Sequence, residues 1–420
     1  MKKFVWCLLL VATQTSAQDS TVFTLEQCQQ LARENYPLLK QQTVLDQILQ
    51  WQNKNSNTAY LPQAELNGQA TYQSDVTQIP IKLPNMTIPV LPKDQYRATI
   101  DIKQLLYDGG FTREQKALQS LQQKSEQQKV EVELYRLKQQ VTQVYFSALL
   151  AEEYIAASRQ AQADVQQRIE KLTAGVNNGT VLPSNVDLLQ AELLKINQQE
   201  IAAQSSKGSS IEVLKLLIGQ QVVSAIKLVM PGVVIATPAD TLNRPELQLY
   251  RLQSDVLKQQ SALTGSKQLP RISAFVQGGY GRPGLNMLNT DFAAFYTGGV
   301  RLNWTLWNWR YQRNEQQVLA LQQKNIASQT ATFTLNTRVQ LAQQAAEIDQ
   351  LKQILDKDRE IITLRVRVKE AAAAQLDNGV ITVHDYLSDL NAETQAHINQ
   401  STHEIQLAMA HINYQLIQGY

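Results

Sequence analysis

The sequence has little of what usually stabilises or anchors a protein. There are 2 cysteines in 420 residues, Cys7 and Cys28, so no disulfide framework is expected. Four histidines, His384, His397, His403 and His411, crowd the C-terminal end without the i, i+4 spacing of a helical metal pair. No Ser/His/Asp set, Gly-rich phosphate loop or metal cluster is present, so neither a catalytic residue nor a cofactor nor a metal is assigned. Charge of one sign is also missing: 39 Lys and Arg stand against 37 Asp and Glu, with no basic patch, which argues against nucleic acid as a partner. No apolar run reaches the roughly 20 residues of a membrane-crossing helix. A chain of this kind that spans a membrane has to do so with β-strands.

The N-terminus is patterned differently. Lys2 and Lys3 precede the apolar run Phe4 to Ala12, and Thr15, Ser16 and Ala17 are small. This is the plan of a cleavable secretory leader, with cleavage expected after Ala17. Cys7 lies inside the apolar run without a lipobox around it.

Beyond the leader the chain is written twice. Asn178-Gly179-Thr180-Val181 recurs 200 residues later as Asn378-Gly379-Val380-Ile381, and Leu106-Tyr107-Asp108 recurs at the same offset as Leu306-Trp307-Asn308. Leu217-Ile218-Gly219 answers Leu416-Ile417-Gln418-Gly419, and Tyr60-Leu61-Pro62 answers Gln268-Leu269-Pro270. Each copy reads helix, strand, loop, strand, very long helix, turn, helix. The expected layout is a leader over 1–17, a first repeat over 18–220, a linker over 221–242 and a second repeat over 243–420. Pro231, Gly232, Pro238 and Asp240 break the helical pattern in the linker.

The long helices are expected from about Thr112 to Leu172 and from about Gln312 to Leu376. In the first, Val130, Leu134, Leu137, Val141, Val144, Ala148, Ala151 and Ile155 step alternately by four and three, a coiled-coil heptad. At about 1.5 Å per residue each is a rod of roughly 90 Å. The second seam is looser: Leu341, Ala345, Ile348, Leu351, Leu355 and Ile362. Shorter partner helices carry Val186, Leu189, Leu193 and Ile196 in one copy and Val383, Tyr386 and Leu390 in the other. Gly179 and Gly379 suit the turns between them, since glycine accepts positive φ past a helix end. Pro183 fits the first helical position after the turn.

Four stretches alternate with a period of two. Ala64, Leu66, Gly68, Ala70 and Tyr72 interleave with polar residues, as do Ala98, Ile100 and Ile102. Ile272, Ala274, Val276 and Tyr280 follow the pattern less cleanly, because Phe275 falls on the polar side. Val300, Leu302, Trp304 and Leu306 form the fourth. Tyr60, Tyr96, Tyr107, Phe292, Phe295, Tyr296, Trp307 and Trp309 gather at the strand ends, as interfacial aromatics do. A membrane barrel of one chain needs about eight strands, and open strand edges are not tolerated in lipid. Four spanning strands therefore imply a barrel shared by several copies. The segment Ile79 to Pro92, with Pro80, Pro84, Pro89 and Pro92, reads as a stiff extended loop.

The doubled plan, the Leu-Pro before each hairpin, the Leu-Tyr-Asp-Gly-Gly and Leu-Trp-Asn-Trp-Arg stretches and the Asn-Gly tips together resemble the TolC family of outer-membrane efflux proteins. The resemblance runs from about Leu25 to Gly419. It implies a mainly α fold with β-strands: a long coiled-coil α-barrel, plus four strands per chain in a trimeric 12-stranded transmembrane β-barrel. It further implies an outer-membrane location with the helices in the periplasm, and a passive exit duct for a tripartite efflux or type I secretion system. The implied partners are two more copies of the chain, a periplasmic adaptor, an inner-membrane pump and outer-membrane lipid. Aligning the second tip on Gly379 puts the family's first acidic gate position on Asp385 and its second on Ser388, a departure from the pattern. Asp389 is adjacent, and Asn185 stands at the equivalent place in the first copy. Gly179, Thr180, Gly379 and Val380 are the expected adaptor contacts. The alternative is a periplasmic coiled-coil scaffold or adaptor without a barrel, which would carry one hairpin and lipoyl-like modules.

Overall fold

The computed structural model describes residues 21–77, 90–219, 226–232 and 241–420. The expected leader, Pro80, Pro84, Pro89 and most of the expected linker lie outside the described residues. In chain order the elements are β1 (Thr21–Phe23), α1 (Leu25–Asn35), a 3-10 turn (Pro37–Leu39), α2 (Lys40–Thr58), β2 (Gln63–Tyr72), β3 (Asp94–Tyr107), α3 (Phe111–Asn177) and α4 (Pro183–Ile218). The rest are β4 (Ile226–Leu228), α5 (Pro245–Ser266), β5 (Arg271–Arg282), β6 (Ala293–Asn303), α6 (Tyr311–Asp377) and α7 (Val383–Gln418). The duplication is legible in this order. Helices α3 and α6 each have 67 residues, about 100 Å of rod. No described helix is long and apolar enough to cross a membrane.

Two compact units cut across both repeats. One takes the chain up to Leu39, Glu131–Pro245 and Thr334–Tyr420; the other takes Lys40–Val130 and Glu246–Phe333. In the first unit the heptad is borne out at Leu134, Leu137, Val141, Ala148, Ala151 and Ile155, all buried. Val144 is only half-buried, because α3 is covered here on a wider arc that includes Thr142, Tyr145 and Phe146. In the looser second seam Ile348, Leu351 and Leu355 are buried while Ala345 is exposed. A short parallel sheet of β1 and β4, not anticipated from the sequence, joins the start of the first repeat to the expected linker. The Tyr145 hydroxyl fastens it. It accepts from the Val229 N–H at 3.0 Å and has the Phe23 and Val229 carbonyls at 3.0 and 2.5 Å for its own proton. Burial pushes that phenol up to about 12. Helix α1 starts on a Thr24/Gln27 capping box and turns Leu25, Cys28 and Ala32 inward.

The second unit holds a four-stranded antiparallel sheet in the order β2-β3-β5-β6. Its registers settle the faces. Ala64, Leu66, Ala70, Ala98, Ile100, Ile102, Ala274, Val276, Val300 and Leu302 share one face. Glu65, Asn67, Gln69, Arg97, Thr99, Asp101, Lys103, Gln277, Thr297 and Arg301 share the other. Phe275 does lie on the polar face, paired with Gly299, whose missing side chain leaves room for the phenyl ring. Phe295 likewise lies over Gly279 on that face. It therefore leaves the ring of end aromatics in which the sequence pattern put it.

The fourth strand also differs from expectation. It begins at Ala293 and stops at Asn303, so Trp304 and Leu306 fall outside it. The Trp304 indole donates to the Gln268 carbonyl at 3.0 Å, and Trp309 and Arg310 turn with φ of 54° and 61°. These side-chain and turn interactions replace the strand ladder. At the same place in the first copy, Asp108 accepts from the Gly110 and Thr112 N–H groups at 2.9 and 2.7 Å and opens α3.

Candidate functional site

The helix tips are built alike. At the end of α3, Gly179 N–H donates to Val176 at 3.0 Å and Thr180 N–H to Gly175 at 2.9 Å. At the end of α6, Gly379 N–H donates to Leu376 at 3.0 Å and Val380 N–H to Gln375 at 2.9 Å. Both are Schellman closures, and both glycines take φ of 70°, where a side chain is strained. A Cβ at either glycine meets nothing within 4 Å, so the turn is bare as well as tight. Val380 is 71 % exposed. One apolar core lies behind both tips: Val165, Ile169 and Leu172 of α3, Leu189 and Ile196 of α4, Leu376 of α6, and Val383, Tyr386 and Leu390 of α7.

The two partner helices start differently. Helix α4 has Pro183 in its first turn and no side-chain cap at Leu182. Helix α7 has a capping box: Asp385 N–H donates to Thr382 Oγ1 at 3.2 Å. Asp385 Oδ2 accepts from the Thr382 N–H at 3.0 Å and hydroxyl at 2.7 Å. These bonds hold the Asp385 carboxyl below the usual carboxylate range, the Thr382 hydroxyl contributing most. Asp385 thus has a local structural job and remains exposed and charged. Ser388 and Asp389 follow three and four residues later on the same helical face, Ser388 exposed and Asp389 half-buried. Asn185, at the matching place on α4, is half-buried and caps nothing in this way. Asp385, Ser388 and Asp389 are therefore brought together, and Asn185 belongs to the other hairpin.

A charged seam behind the tips escaped the sequence reading. Asp377, at the last position of α6, lies 2.6 Å from Arg168 and 2.5 Å from Lys171 of α3. The Arg168 guanidinium also sits 4.7 Å over the Tyr386 ring of α7. About two turns earlier in α6, Lys369 bridges Asp164 of α3 at 3.2 Å and Glu393 of α7 at 3.1 Å. Burial works against the Lys369 charge, yet Glu393 and Asp164 outweigh it and raise the pKa. The seam fastens the second hairpin to the first. Its residues lie on polar helix faces, where periodicity carries no signal.

Of the histidines, His403 contacts Asp358 at 2.7 Å and His397 contacts Glu393 at 3.3 Å, while His411 is buried. No group of metal-ligating side chains occurs among the described residues.

In the sheet unit the polar face carries a recess of about 610 Å³ lined by Gln63, Glu65, Asp101, Lys103, Gln277 and Arg301 among others. Asp101 accepts from Asn67 at 2.7 Å, Thr99 at 2.9 Å and Gln277 at 2.5 Å, tying three strands through one carboxylate. The apolar face is uncovered: Leu66 is 79 %, Val300 68 % and Leu302 61 % exposed. At one end of it Phe292 stacks on Tyr280 and Tyr96, with centroids 5.7 and 6.1 Å apart.

No protein family profile and no curated protein sequence matches the chain. Solved structures do. CusC, described in connection with transmembrane channel formation, superposes with a TM-score of 0.71 at 12% identity, over 94% of this chain and 92% of that one. The CmeC outer membrane channel of Campylobacter jejuni gives 0.66 at 15% identity, over 94% and 85%. The MtrE outer membrane channel of Neisseria gonorrhoeae, in its open state, gives 0.67 at 14% identity, over 94% and 89%. What is shared at such identities is the fold, and it extends over nearly the whole chain: the TolC-like fold of outer-membrane channels.

Proposed function

We propose that this chain, with its TolC-like fold, is the outer-membrane exit duct of a tripartite efflux or secretion system and works as a homotrimer. The observation that carries the reading is the four-stranded sheet. Its strands have 10, 14, 12 and 11 residues, the length that crosses a bilayer when tilted. One face is apolar and uncovered, the other polar and recessed. Strands β2 and β6 have no neighbour on their outer edges among the described residues. Lipid accepts the apolar face only if those edges are closed, and further copies of the same sheet close them.

In this reading the duct does no covalent chemistry. The polar face lines the barrel, and the long helices of three copies continue the path into the periplasm. The tips at Gly179, Thr180, Gly379 and Val380 are the adaptor contacts, because a bare turn permits close approach. Asp385, with Ser388 and Asp389 on the same face, lines the narrow end. The capping box fixes the Asp385 carboxylate at the start of α7; three such carboxylates in a ring attract cations, repel one another and raise some of their own pKa values. Opening has to part the second hairpin from the first, across the Asp377 and Lys369 seam. The inner-membrane pump supplies the energy and much of the choice of cargo.

Expression in a double-membrane bacterium, followed by fractionation and sizing in detergent, tests the reading. An oligomer of about 140 kDa in the outer-membrane fraction, three times the 47.3 kDa chain, that conducts ions in planar bilayers is the expected result. A soluble monomer that never enters the outer membrane contradicts it and favours the scaffold.

A further inference from the structure

The register of the sheet places four cations on the polar face, Arg97, Lys103, Arg271 and Arg301, against two acids, Glu65 and Asp101. None of the ion pairs among the described residues engages these four cations. The ion pair the sheet does make, Arg282 to Asp94 at 3.5 Å, lies at its rim. Asp101 accepts from the amides of Asn67 and Gln277 and from the Thr99 hydroxyl, so it is tied to neutral partners and leaves the four cations unpaired.

The arginines are also held in place. The Arg301 guanidinium lies 4.9 Å over the Phe275 ring, and that of Arg97 lies 5.5 Å over Phe295. Each phenyl in turn lies over a glycine of the neighbouring strand, Gly299 for Phe275 and Gly279 for Phe295. Glycine, phenyl and guanidinium thus follow one another along the wall, each cation held over a ring. A guanidinium stacked on one ring still offers its edge to an anion and its second face to another ring.

We propose that the polar face of the sheet is an anion-recognising wall of the conduit, built to draw in and briefly hold anionic aromatic cargo through Arg97, Lys103 and Arg301. The proposal rests on the reading of that face as the lumen of a shared barrel and adds the chemical class of the cargo. A low-dielectric wall with an excess of one sign of charge, here four cations to two acids, focuses the field and concentrates counter-ions, and rings of Arg and Lys favour anions in a pore. The face is thus opposite in sign to the Asp385 tips, and the two make separable contributions to selectivity.

The test uses the purified full-length chain in planar bilayers at about 10 mM KCl, where screening is weak. Reversal potentials give the ratio of potassium to chloride permeability, and a pyrene trisulfonate serves as the aromatic anionic blocker. In the variant combining Arg97→Gln, Lys103→Gln and Arg301→Gln, the ratio is expected to move toward potassium by about twofold. Block by the pyrene trisulfonate weakens by about fivefold. Asp385→Asn moves the ratio the other way and leaves the block unchanged. Arg301→Lys alone keeps the charge and loses the planar guanidinium over Phe275, so it spares the ratio while weakening the block. If the triple variant fails to assemble, Arg97→Gln and Arg301→Gln singly must each show a smaller shift in the same directions. Conducting variants with unchanged ratio and unchanged block overturn the proposal while the duct stands. A wild-type chain that never conducts overturns the duct reading and this proposal with it.

Discussion

The helical unit and the sheet unit solve the burial problem in opposite ways. Near its tips the helical unit closes a core within one chain: Val165, Leu189, Val383 and Leu390 are at most 1 % exposed. The sheet buries little beyond Thr99 and Ser273 on its polar face, and on its apolar face Leu66, Ile100, Val276, Val300 and Leu302 stand in the open. A protein surface this apolar and continuous suits a covering partner, and among the described residues the outer edges of β2 and β6 are free to pair with further strands. The helical unit leaves apolar side chains such as Leu194, Ile201 and Leu364 exposed too, but it has a closed core of its own, which the sheet lacks.

Substitutions on the two sides of this comparison should behave differently. The largest effect is expected from Leu390→Ala, which empties a fully buried position and costs about 2–5 kcal/mol whatever the solvent. Denaturant unfolding of the helical unit measures it. Next is Ile100→Arg on the apolar face. Ile100 is 55 % exposed in the single chain, so a water-facing site would tolerate the change within about 0.5 kcal/mol. A lipid-facing site near mid-bilayer loses about 2–4 kcal/mol per copy. Assembled oligomer in the membrane fraction should fall sharply for Ile100→Arg and hardly at all for Thr297→Lys on the polar face; equal effects would erase the distinction between the faces.

Gly379→Ala should cost about 1–2 kcal/mol through its left-handed backbone, with no steric clash to add. A larger loss of adaptor binding than of stability would mark the tip as a contact rather than a cap.

The smallest effect concerns pH. His411 is buried, and burial first, then Lys352, holds its pKa below the ordinary histidine value. The unfolded chain therefore takes up this proton at higher pH than the folded one. Stability of the helical unit is lost as pH falls through about 6.5 toward the folded value. The Tm at pH 5 should lie below that at pH 7.5 by no more than about 2–4 °C, and His411→Gln should narrow the gap.

Much of this was legible in the sequence because the informative periods are strong. The 200-residue repeat, the 3.5 step of α3 and the alternation of β2 and β3 each reflect a face that has to meet something apolar. The strand that ran wrong, β6, failed where Trp304 prefers the Gln268 carbonyl to a ladder and Trp309 and Arg310 take up a left-handed turn. The β1–β4 pair was hidden because three residues are too few to show a period. Asp385 was visible as an acid near a tip, but its bond to Thr382 needed coordinates. The Arg168–Asp377 and Lys369 bridges join residues 24 to 209 positions apart on polar faces, and no local pattern announces them.

If the two faces of the sheet meet lipid and water respectively, labels along one strand should report the two surroundings in turn. Single cysteines from Ala294 to Leu302 along β6, in a Cys28→Ser background, can each carry an environment-sensitive fluorophore in vesicles containing brominated lipid. Quenching that alternates, strong at Tyr296, Gly298, Val300 and Leu302 and weak at Phe295, Thr297, Gly299 and Arg301, is the predicted result. Uniformly weak quenching, with every site open to aqueous iodide, would contradict the account.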